Sequence, residues 1–99
     1  MNKENSMAKA RARHILVATE EVCQSLKDKI VNDGEDFADL AREYSQCPSG
    51  KNGGDLGFFL PGQMVPEFDQ VCFNEAVGVV HGPVKTQFGY HLVEVTERS

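Results

Sequence analysis

Five of the nine glycines in this 99-residue chain fall within residues 50–62, and Leu56, Phe58, Phe59, Met64 and Phe68 stand among or just after them. A flexible linker would not carry so many aromatics in so short a span, because apolar side chains drive collapse. Glycine serves where the backbone needs a positive φ or approaches something too closely for a Cβ. The stretch therefore predicts a tightly turned backbone that presents Leu, Met and Phe around a small concave surface. From pattern alone, the competing reading is a glycine-rich hairpin followed by the apolar face of an ordinary core helix.

Ninety-nine residues suffice for one domain with a core that needs no disulfide or metal staple. No apolar run approaches the ~20 residues that cross a bilayer, and the basic N-terminus lacks the hydrophobic stretch of a secretory signal. The expectation is a cytoplasmic protein with no membrane partner. Cys23, Cys47 and Cys72 make an odd count without CxxC spacing, which fits reduced thiols in a reducing compartment. Residues 1–13 carry four basic side chains against one acidic, whereas residues 14–99 carry six against fourteen. An acidic body argues against nucleic acid, which rewards clustered Lys and Arg. Residues 1–10 read as a basic, flexible extension in which Met7 offers a second start, and residues 11–99 as the single domain.

Residues 11–18 alternate and then turn apolar, a strand signature. Thr19 caps a helix that carries Val22, Leu26 and Ile30 and ends before Gly34. Asp36 caps a second helix with Phe37, Leu40, Ala41 and Tyr44 on one face. Residues 45–52 read as a loop and residues 56–60 as a short strand. Pro66 starts a third helix bearing Phe68, Val71, Cys72 and Phe73. His81-Gly82-Pro83 reads as a break, followed by strands at 84–87 and 90–96. In the last strand His91, Val93 and Val95 share one face. The order β-α-α-β-α-β-β defines an α+β domain, a small mostly antiparallel sheet with helices packed on it.

His14 and His91 each open a strand, and neighbouring antiparallel strands would bring them together. Buried imidazoles need a partner for each nitrogen, so the plain reading is a pair of mutually satisfied core histidines. A metal site would need a third ligand from Cys47, His81 or Asp55, and no HxxxH or CxxC spacing supports one. Cys47, between Gln46 and Pro48, has the residue type of a nucleophile but no surrounding elbow motif.

Several runs in order then carry a family resemblance. They are Arg13-His14-Ile15-Leu16-Val17, Phe37-Ala38-Asp39-Leu40-Ala41 and Ser45-Gln46-Cys47-Pro48-Ser49-Gly50-Lys51, then Gly53-Gly54-Asp55-Leu56-Gly57 and Gly62-Gln63-Met64-Val65-Pro66. Gly82-Pro83-Val84 and Thr86-Gln87-Phe88-Gly89-Tyr90-His91 complete the set. Together they cover residues 11–97 and resemble the parvulin-type peptidyl-prolyl cis–trans isomerases, most of all the small single-domain cytosolic bacterial ones.

The resemblance implies a four-stranded antiparallel sheet surrounded by helices and a rotamase that assists protein folding. It implies that Leu56, Met64 and Phe68 hold the substrate's proline ring, with Gln87 and Phe88 on the rim. His14, Cys47, Thr86 and His91 would form the polar catalytic site below, where thiol and histidines make a hydrogen-bonded network without a covalent step. No cofactor and no metal are expected, and the expected partners of this monomer are proline-containing polypeptides. The phosphate-directed branch has Lys and Arg after its first strand, where this chain has Ala18-Thr19-Glu20-Glu21. A phosphate would be repelled there, so the expected substrates carry an uncharged or apolar residue before proline. A non-catalytic peptide-binding module using the same pocket is the rival reading.

Overall fold

The computed structural model describes residues 8–99. Its elements are β1 (Ala10–Val17), α1 (Glu20–Val31), α2 (Phe37–Tyr44), a 3-10 turn (Pro48–Asn52), β2 (Asp55–Phe59), α3 (Pro66–Asn74), β3 (Val80–Thr86) and β4 (Gly89–Arg98). The four strands form one antiparallel sheet in the order β2-β1-β4-β3. Element order and sheet match the expectation.

The period-two pattern of β1 and β4 sorts the core onto two faces. Ile15, Val17 and Leu92 pack against Cys23 and Leu26 of α1 and Phe37, Leu40 and Ala41 of α2. On the other face Ala10, Ala12, Val93 and Val95 pack against Phe59 of β2 and Phe68 and Cys72 of α3. His14 and His91 lie on this second face, so the residues of interest share a layer with α3.

Local chemistry sets the element ends. Thr19 Oγ1 accepts from the Val22 N–H at 3.3 Å and Asp36 Oδ2 from the Asp39 N–H at 3.1 Å, each satisfying an orphan donor at a helix start. Helix α1 closes at Asn32, with Gly34 in the left-handed region just beyond. Residues 48–52, expected as loop, form the 3-10 turn, with Pro48 in its first turn and left-handed Gly53 at its end. The break expected at His81-Gly82-Pro83 lies inside β3, where the register with β4 shifts between His81 and Val84. A proline without an N–H is tolerated there because β3 is an edge strand.

Strand β1 begins at Ala10, which is fully buried, and the Ser99 N–H donates to the Lys9 carbonyl at 3.0 Å. The ordered domain thus starts ahead of residue 11. The rest of the basic extension and the Met7 start lie outside the described residues.

Candidate active site

Two hydrogen bonds fold the segment after α2 onto the end of β1. The Leu16 N–H donates to Ser45 Oγ at 3.1 Å, and the Gln46 N–H donates to the Leu16 carbonyl at 2.8 Å. Cys47 is thereby delivered beside His14. On the other flank the His14 N–H donates to the Gly54 carbonyl at 3.0 Å. Gly54 has φ +86°, and a Cβ there would overlap the His14 carbonyl, so this position admits only glycine.

His14 pairs with Val93 across the β1–β4 ladder and Leu16 with His91, which makes the two histidines diagonal neighbours on one face. Their Nδ1 atoms are 3.0 Å apart. His91 Nε2 lies 2.7 Å from Thr86 Oγ1, and His14 Nε2 lies 3.2 Å from Ser49 Oγ. All four ring nitrogens therefore have partners. One proton per imidazole satisfies the chain Thr86–His91–His14–Ser49, with every donor pointing one way along it or every donor pointing the other. The Phe88 N–H anchors the Thr86 end, donating to Oγ1 at 3.1 Å. Phe68 meets both rings edge-on, at centroid distances of 5.4 and 5.7 Å.

Burial sets the charge state. Desolvation, with His91 alongside, pushes the pKa of His14 down to about 4, and burial also lowers that of His91. Both rings are neutral near pH 7.

Above the pair opens a cavity of about 520 Å³. His14, His91, Leu16, Leu56, Met64, Val65 and Phe68 form its floor and apolar wall, and Cys47, Gln46, Pro48, Gln63 and Phe88 complete the lining. None of these residues carries a formal charge at neutral pH. Leu56 is aimed by its neighbour Asp55, whose carboxylate receives Nε and Nη2 of Arg11 at 3.2 and 2.6 Å. The same carboxylate accepts from the Gly57 N–H at 3.1 Å. The hydrogen bonds to Arg11 lead in holding the Asp55 carboxyl below its usual range. Met64 is delivered by a turn in which the Leu60 N–H donates to Gln63 Oε1 at 2.8 Å and the Gly62 N–H to Asp69 Oδ1 at 3.0 Å.

The structure thus gathers His14, Cys47, His91, Leu56, Met64, Phe68 and Phe88 around one cavity. Thr86 is buried behind His91 and acts on the cavity only through that ring. Gln87 lies in the turn between β3 and β4, is exposed and does not line the cavity. The expected thiol–histidine network is also different. Among the described residues the hydroxyls of Thr86 and Ser49, not the Cys47 thiol, flank the imidazoles. Ser49 was not among the expected site residues. The signal available for it was an accounting one: two buried histidines that meet through one nitrogen each leave two more nitrogens to satisfy. Among the described residues no three His, Cys, Asp or Glu side chains are grouped to hold a metal ion.

A family model described as the PPIC-type PPIase domain matches residues 1–99. The chain belongs to this peptidyl-prolyl isomerase family. The foldase protein PrsA of Geobacillus kaustophilus (strain HTA426) is 50% identical over 96 residues, which are 96% of this chain and 34% of that protein. The crystal structure of PrsA from Bacillus subtilis matches with a TM-score of 0.87 at 45% identity, covering 95% of this chain and 37% of the other. Pin from the psychrophilic archaeon Cenarcheaum symbiosum matches with a TM-score of 0.79 at 35% identity over 98% of each chain. The isomerase domain spans about a third of the length of the curated PrsA relative.

Proposed function

We propose that this domain catalyses, without a covalent step, the cis–trans isomerisation of X–Pro bonds in flexible or unfolded polypeptides and so assists their folding. The observation that carries this reading is a cavity with an apolar wall, no formally charged lining and a floor of two neutral imidazoles. Rotation about an X–Pro bond meets a barrier of about 20 kcal/mol because amide resonance must be broken. That resonance is charge-separated, so an apolar enclosure destabilises the planar ground state more than the twisted transition state.

Burying the three ring methylenes of proline against Leu56, Met64 and Phe68 supplies about 2.4 kcal/mol of substrate binding at about 0.8 kcal/mol per methylene, equally in the ground and transition states. A thousandfold acceleration asks for about 4 kcal/mol of transition-state stabilisation. The Gln46 and Gln63 amides and the Cys47 thiol on the wall are the polar groups that a twisted peptide meets. A nucleophilic cysteine would need an imidazole base. Each nitrogen of His14 and His91 is already engaged by the other ring, Thr86 or Ser49, so neither of these imidazoles stands free to take the thiol proton.

The uncharged lining supports apolar or uncharged residues before proline, and Glu20 and Glu21 at the start of α1 disfavour a phosphate there. A monomer in the cytoplasm is the proposed setting, which three free thiols support. NMR exchange spectroscopy on Ala-X-Pro-Phe peptides with X varied tests the proposal. Enhanced exchange that is fastest for apolar X is the expected result, whereas saturable binding without enhanced exchange would make the domain a peptide binder.

A further inference from the structure

Behind the wall formed by Gln46, Cys47 and Pro48 lies a second cleft of about 380 Å³, and those three residues line both hollows. The far side of this cleft is basic, carrying Arg42 from the last turn of α2 and Lys51 from the 3-10 turn. We propose that it is an anionic subsite, which binds the carboxylate of an Asp or Glu two or three residues from the proline held in the cavity. This rests on the proposed isomerase reading and adds a substrate class to it.

Three observations carry the assignment. The first is charge placement. Residues 14–99 hold six basic and fourteen acidic side chains, yet two of the six flank this one cleft. The second is that ordinary structural roles account for only one of the pair. Arg42 Nη1 donates to Asp39 Oδ1 at 2.9 Å, and its position suits the negative end of the α2 dipole. That leaves most of its five N–H donors unspent. Lys51, on a separate element, is exposed and makes no ion pair among the described residues.

The third observation is rigidity. A Cβ at Gly50 would sit 2.8 Å from the Ala41 carbonyl, so the 3-10 turn is packed hard onto the end of α2. The Gly53 N–H donates to the Gly50 carbonyl at 3.0 Å and the Gly54 N–H to the Ser49 carbonyl at 2.9 Å, closing the turn. The two cations are therefore carried on elements fixed relative to Cys47, which limits the ordering that binding must impose. The two hollows share Gln46, Cys47 and Pro48, and an extended chain advances about 3.3–3.6 Å per residue, so two or three residues give it a reach of roughly 7–11 Å beyond the proline.

The test compares Ala-Leu-Pro-Phe peptides extended at either end, with Glu or Gln placed two or three residues before or after proline. Exchange spectroscopy reads turnover, and titration of the Lys51 and Arg42 side-chain signals reads binding. At low salt one Glu peptide should bind and turn over about threefold to fivefold better than its Gln match, the range expected for exposed ion pairs. The ratio should fall in Lys51→Gln and approach one in high salt and in the Arg42→Gln/Lys51→Gln double variant. Equal Glu and Gln peptides with normal turnover would overturn the subsite and leave the isomerase reading standing. Glu-selective binding at Lys51 without enhanced exchange would keep the subsite and remove the isomerase. A Glu preference that survives both variants would also overturn the assignment to these residues.

Discussion

Acidification should unlock the floor of the cavity before it affects the surface ion pairs. His14 has an ordinary pKa of 6.5 and is held at about 4 in the folded domain. Between these values the unfolded chain binds a proton that the native state refuses, so stability falls as pH drops through the window and levels off below it. A gap of about 2.5 units at 1.36 kcal/mol per unit gives about 3 kcal/mol lost between pH 7 and pH 4. His14 is 5% exposed, so solvent screening does little to reduce the figure. His91, lowered by its own burial, adds a loss of the same sign. For a 99-residue domain holding roughly 5–15 kcal/mol, this is a large share. The Asp55 carboxyl is lowered as well, but its stabilising effect is lost only as pH falls below its ordinary 3.8, which separates the two windows. Urea unfolding at half-unit steps from pH 8 to pH 4.5 measures the effect. A steady fall in midpoint below pH 6.5 is expected, much reduced in His14→Gln, which cannot titrate. A flat wild-type profile, or a slope that His14→Gln leaves unchanged, would refute the buried neutral pair.

Met64→Ala and Phe68→Leu should each lower kcat/KM by tenfold or more, which a protease-coupled assay at matched folded fraction reads; activity within twofold of wild type in both would remove the pocket assignment. Cys47→Ser should retain substantial turnover, because no free imidazole nitrogen stands ready as its base, and mass-spectrometric trapping of an acyl-enzyme on Cys47 would contradict this. PhosphoSer-Pro peptides should turn over more slowly than Leu-Pro matches, with the gap narrowing as salt screens Glu20 and Glu21. A preference for the phosphorylated peptide at any salt would reverse the substrate class.

The fold was legible wherever periodicity and caps agree. Thr19 and Asp36 announce their helices, and the alternation of Leu92 with His91 and Val93 assigns both faces of β4 before any contact is known. What escaped was tertiary. Ala10 gives no strand signal of its own and is recruited because a small side chain fits under the sheet beside Ala12 and Val95. Gly82-Pro83 has the signature of a break, yet the ladder resumes across a register shift. In the site, the meeting of His14 and His91 follows from strand pairing, and the pocket residues follow from clustered apolar side chains. Ser49 and the second cleft depend on how a 3-10 turn packs against α2, which no spacing along the chain encodes.

The division of the core between two sheet faces separates two kinds of tolerance. Helices α1 and α2 cover a layer whose buried residues do not line the cavity, so repacking Cys23, Leu26 or Phe37 should move the melting temperature and leave turnover alone. On the other face Phe68 belongs both to the cavity wall and to the layer with Phe59 and Cys72. A change that widens the cavity for bulkier clients thins that layer at the same time. Such a domain is best diversified at its margins, through Phe88 and the segment around Cys47, and best made heat-resistant from the opposite side.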